Sequence, residues 1–258
     1  MDWRLVAVAL AITLTGCATV LDDPSRTETV TPAPVSTPAD GSPTGSSLPP
    51  GVTGTGVADP EALFDAHRGA IEGRSYTLRV RVDSGGQRAE RLLRFESPKR
   101  YYHRDTEAGS AGTRTAFADG TRFYVRTNRS GSVSYDAGNA SAGPSTPTTR
   151  LLETFLQVDN ATVSKTRLDA ETGYEIRATY DTHPTVAEFQ NYSVRAVVTS
   201  EGRLRSLTAS YTRTSGGLEP VDVSYSFRYT EVGSTTVTRP VWVEQEFDDV
   251  DSESIVVG

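Results

Sequence analysis

The chain has 258 residues and a net charge of −7, from 33 acidic against 26 basic residues. That balance disfavours a nucleic-acid partner, because an acidic surface repels a polyanion. Its single cysteine excludes an intrachain disulfide, so a fold of this chain must rest on its core.

The first segment is an apolar run from Leu5 to Leu14, closed by Leu14-Thr15-Gly16-Cys17. A helix of that length rises only ~15 Å, against a hydrocarbon core of ~30 Å, so it fits a signal peptide better than a span. The small-residue site with the thiol just past it is a lipobox. The expectation is a signal peptide over 1–16, a lipid on the Cys17 sulfur, and a lipidated N-terminus over 17–21. A chain processed in this way is held at the extracellular face of the cell membrane. Residues 22–58 then hold half of the 14 prolines with many Ser, Thr and Gly and no aromatic residue. Such a stretch buries too little apolar surface to offset the entropy of ordering, so it reads as a disordered linker.

The folded domain is expected over 59–243. Asp59-Pro60-Glu61 is a helix start: a capping carboxylate, a proline at the first helical position, and an acid near the positive end. Leu63, Phe64, His67, Ala70 and Ile71 share one face before Gly73. The period then switches to two. Tyr76, Leu78, Val80 and Val82 alternate with polar residues up to a turn at Ser84-Gly85-Gly86. A strand through Leu93 and Phe95 stops at Pro98, and Asp119-Gly120 tips a hairpin from Phe117 to Val125. From Asp136 to Thr148 the chain is turn-rich and reads as an exposed loop. A second short helix is expected near Arg150 to Val158, burying Leu151, Leu152, Phe155 and Leu156. Strands resume through Tyr174–Tyr180, Tyr192–Val198, Leu207–Tyr211 and Val221–Tyr229. Clean alternation marks antiparallel strands with one dry and one wet face.

The fold class is therefore mainly β (α+β): a single curved antiparallel sheet of about nine to eleven strands with the two helices against its concave face. Two short helices cover less apolar surface than such a sheet presents. Either the sheet closes on itself or part of its face lines a hollow. The residues placed to line that hollow are Leu63, Phe64, His67, Ile71, Tyr76, Leu78, Val80, Tyr192, Val194, Tyr225 and Phe227. Inner-face tyrosines fit a cavity, since a buried hydroxyl needs a partner, and equally fit the rim of a filled core.

The order of these pieces carries a resemblance. A helix leads into a meander bearing Leu93-Arg-Phe95-Glu-Ser-Pro98-Lys-Arg-Tyr101, then a hairpin bearing Phe117-Ala-Asp119-Gly120-Thr-Arg-Phe123-Tyr124. Val197-Val-Thr-Ser-Glu-Gly202-Arg-Leu204 and the Val221-to-Tyr229 strand follow. This resembles the lipoprotein-carrier (LolA-like) superfamily, which includes mycobacterial lipid-binding lipoproteins, over roughly Asp59 to Val243. Two lysines, Lys99 and Lys165, against 24 arginines resemble the usage of salt-loving archaea or, alternatively, of a high-GC bacterium, and the plan also resembles surface lipoproteins of halophilic archaea. The resemblance implies a half-barrel with a helical lid over a hollow that accepts acyl chains. Self-anchoring sets this chain apart from a shuttle between membranes.

The remaining signals are sparse. All four asparagines, Asn128, Asn139, Asn160 and Asn191, begin Asn-x-Ser/Thr sequons and are candidate glycan acceptors, although the same pattern suits turns. His67, His103 and His183 lack metal-ligand spacing, and no nucleophile or phosphate-loop motif is present. Neither catalysis, metal nor cofactor is expected. Glu244, Glu246, Asp248, Asp249, Asp251 and Glu253 form a dense acidic cluster in a solvated tail over 244–258. The partners expected are the membrane through its lipid anchor, a lipid or other hydrophobic ligand, or alternatively an envelope protein docked on a sheet without a cavity.

Overall fold

The computed structural model describes residues 47–107, 112–140, 143, 153–168, 171–214 and 219–248. The signal segment, Cys17 and most of the linker lie outside these residues. An ordered ribbon comes first: β1 (Val52–Thr53) pairs antiparallel with β2 (Gly56–Val57). Helix α1 (Pro60–Ile71) follows, with the Asp59 side chain accepting from the Ala62 amide at 3.0 Å and Pro60 in the first turn, as the sequence dictates.

Eleven strands then form one curved, open antiparallel sheet. They are β3 (Tyr76–Ser84), β4 (Gln87–Ser97), β5 (Arg100–Thr106), β6 (Gly112–Asp119), β7 (Arg122–Arg129) and β8 (Ser132–Asn139). The second run is β9 (Thr162–Leu168), β10 (Glu171–Thr182), β11 (Phe189–Thr199), β12 (Leu204–Arg213) and β13 (Val221–Thr230). The spatial order is β8-β7-β6-β5-β4-β3-β13-β12-β11-β10-β9. The chain thus builds one meander outward to the edge β8, crosses to the opposite edge β9, and meanders back. The two halves join where β13 pairs with β3, from Ser84↔Val223 to Thr77↔Thr230.

Three sequence readings change here. The linker does not run to residue 58: Pro49, Val52 and Val57 are buried. The loop expected from Asp136 starts later, because β8 continues through Asn139 opposite β7. The domain does not stop at 243, since the helical segment Val241–Val243 continues as a π-helical turn over Glu244–Asp248, with Phe247 5.0 Å from the Tyr124 ring. The second helix is described as one turn over 153–156, and Arg150, Leu151 and Leu152 lie outside the described residues.

Candidate functional site

The inner face is laid down by register. One row across the sheet runs Val163, Ile176, Ala196, Leu207, Phe227 and Val80. The next runs Ala178, Val194, Ala209, Tyr225 and Val82. Period-two alternation puts these apolar side chains on one side. Alanines at 178, 196 and 209 leave space above the sheet, and the crossover between the two meanders fills it. Phe155 is buried with its ring 5.2 Å from Tyr225, 6.2 Å from Tyr211 and 6.4 Å from Phe189. Leu156, Val158 and Ala161 are buried beside it in the same core. The Tyr192 hydroxyl donates to the Phe155 carbonyl at 2.6 Å, so the crossover backbone satisfies the buried phenol. Burial pushes the Tyr192 phenol far above its ordinary range and that of Tyr225 up to about 12.

Helix α1 supplies the second cover. Leu63, Phe64 and His67 are its buried residues. The His67 Nδ1 accepts the Leu204 amide at 3.3 Å, and its ring meets Tyr229 edge-on at 5.1 Å. Burial, with a smaller push from Arg203, drives the His67 imidazole down to about 4. The β11–β12 turn reaches the helix here. Gly202 has φ +89, and a Cβ on it would lie 2.5 Å from that of Ala66.

Of the eleven residues expected to line a hollow, Leu63, Phe64, His67, Tyr76, Leu78, Tyr192, Val194, Tyr225 and Phe227 are buried, while Ile71 and Val80 are half-buried. The fold therefore brings all eleven to α1 and the inner face, where they pack on the chain's own side chains. Residues that sequence reasoning missed are Val52, Val57, Val158 and Ala161, which complete this cover. Where the cover segments meet, α1 and the 153–157 turn border an open groove of about 560 Å³ lined by Phe64, Asp59, Glu61, Glu153 and the paired Asp65 and Arg68.

Farther along the inner face, His103 Nε2 lies 2.8 Å from Asp105 Oδ1, and Arg91 grips the same carboxylate through Nε and Nη2 at 2.8 and 3.0 Å. Burial raises the Asp105 pKa, but His103 and Arg91 outweigh it and hold the carboxyl at about 2. The sequons are spread over the sheet. Asn139, Asn160 and Asn191 are exposed and Asn128 is half-buried. Asn160 and Asn191 have φ of 51° and 50°, a left-handed geometry that asparagine tolerates better than most residues. Among the described residues no group of three His, Cys, Asp or Glu could hold a metal ion.

No family model and no curated protein matches the chain. Among solved structures it is similar to a LolA superfamily protein from Nitrosomonas europaea, at 9% identity and a TM-score of 0.24, over 71% of this chain and 96% of that one. A score of that size carries no argument about ligands.

Proposed function

We propose that the chain is an extracellular lipoprotein, tethered through Cys17, that holds a lipid or another apolar molecule on the inner face of its half-barrel and is not an enzyme. The observation that supports this is the make-up of the cover. An apolar face several strands wide is roofed by three separate pieces, the β1–β2 ribbon, α1 and the crossover, none of them part of the sheet. The hollow left by the alanines is closed by one plug, Phe155, which a ligand displaces. Lifting Phe155, Leu156 and Val158 costs about 5–9 kcal/mol at ~1.5–3 kcal/mol per side chain, and a buried methylene returns ~0.8 kcal/mol, so the occupant needs about six to eleven methylenes. That selects an acyl or isoprenoid chain over a small apolar molecule. The acidic groove at the seam fits a neutral or cationic headgroup.

Organic extraction of the full chain followed by mass spectrometry tests the reading, together with binding of cis-parinaric acid. Co-purifying lipid, with probe uptake increased by Phe155→Ala, is the expected result. Absence of lipid together with no uptake by either protein removes it. The tight packing of Phe155 then favours the second reading, a filled core whose outer face docks an envelope partner.

A further inference from the structure

We propose that the outer face of the sheet binds a linear polyanion of the sulfated-polysaccharide class, along a track of arginines that crosses the strands. This surface is opposite the apolar face and does not depend on it. Three grooves lie end to end. The first, about 630 Å³, is lined by Arg195, Arg228, Arg79 and Arg81 with Ser206, Thr208, Ser226 and Thr230. The second, about 260 Å³, shares Arg79 and Arg81 and reaches Arg104. The third, about 300 Å³, runs from Arg104 to Arg126 and Trp242. Together they span β11 to β7, about 34 Å at ~4.8 Å per strand.

The charge on this track is uncompensated at its centre. Arg79 and Arg228 are direct cross-strand partners, an arrangement that costs stability. Neither has an ion pair among the described residues. Other arginines of this face are neutralised, two of the track's own among them: Glu175 bridges Arg177 and Arg195, Arg81 meets Glu90 of the second groove at 3.2 Å, and Arg88 meets Asp83 at 2.7 Å. A protein of charge −7 that leaves two facing arginines open concentrates positive potential there. In the third groove the Arg126 Nε is buried with no hydrogen-bond partner.

The form of the site selects the occupant. Guanidinium groups take sulfate oxygens in a two-pronged fashion, and the interleaved hydroxyls suit sugar hydroxyls. Trp242 lines the third groove with Tyr135 beside it, ring centroids 6.2 Å apart, an aromatic wall that suits a pyranose better than polyphosphate. A flexible chain follows the curve of the sheet across all three grooves, whereas a flat bilayer meets a curved face along a narrow ridge.

Titration of the full chain with dextran sulfate tests this, with neutral dextran, polyphosphate and phosphatidylglycerol vesicles in parallel. The expected result is salt-sensitive binding of dextran sulfate that the Arg79→Thr/Arg228→Thr double variant weakens about tenfold or more. The double variant should melt no lower than the wild type, since the facing charges repel, and Arg88→Thr should leave binding unchanged. No binding by the wild type, equal binding by the double variant, or loss of binding only in step with loss of melting temperature overturns the proposal. Preference for vesicles or polyphosphate over dextran sulfate overturns it as well.

Discussion

At the scale of single residues, the histidine on α1 makes the fold sensitive to mild acid. The His67 imidazole titrates near 4 in the folded chain and near 6.5 when unfolded. Between those values the unfolded chain holds the extra proton, so stability falls as pH drops from 6.5 towards 4, by about 3 kcal/mol at most. Asp105 acts lower. Its depressed carboxyl stabilises the fold above pH 3.8, and that contribution is lost as pH falls towards 2. Chemical denaturation from pH 7 to 4 should show the first decline in the wild type and a flattened slope in His67→Gln. Tyr192→Phe leaves the Phe155 carbonyl buried without its donor and should cost about 1–3 kcal/mol by the same measurement. The position of His67 was legible from helical spacing. Its partner was not, because the Leu204 amide is 137 residues away.

At the scale of elements, two of the strands that alternation did not reveal, β8 and β9, are the edges of the sheet. An edge strand buries less and carries polar side chains on both faces, which blurs the period-two signal that identified β3, β10, β11 and β13. The β1–β2 ribbon is two residues on each side, too short to show any period. It is fixed instead by backbone contact. Gly51, at φ +75, accepts the Ala58 and Asp59 amides at 2.9 and 3.1 Å, and a Cβ there would lie 2.0 Å from the Asp59 carbonyl oxygen. Gly51→Ala should therefore cost at least about 2 kcal/mol and expose α1 to hydrogen exchange. The C-terminal segment is a second hidden element. Its Phe247 packs on Tyr124 and Tyr135, so Phe247→Ala should cost about 1–2 kcal/mol in thermal or denaturant unfolding, where a solvated tail would show no change.

For the whole molecule, the decisive feature is the seam between β3 and β13. Thr77 and Glu231, hydrogen-bonded at 2.9 Å beside it, are 154 positions apart. The second meander lacks part of its cover until the seam forms, because α1, which leads into the first meander, packs through His67 on Leu204 and Tyr229 of the second. The described domain should unfold in one transition, with far-ultraviolet circular dichroism and tyrosine fluorescence tracing the same curve. Refolding should be slow for its size, since long-range pairing must be paid in chain entropy before it stabilises anything. The class of fold and its dry face could be read from alternation alone. Its roof could be read in part, since α1 and a helix burying Phe155 and Leu156 were expected over that face, whereas the β1–β2 ribbon was not, because two residues a side show no period.

The ribbon that precedes α1 also sets how the molecule answers to mechanical load. A pull on the chain ahead of residue 47 is transmitted through buried Pro49 and the Gly51 carbonyl, which accepts the Ala58 and Asp59 amides, into the start of the helix. The first structure to take such a load is thus part of the roof, ahead of the open sheet beneath it.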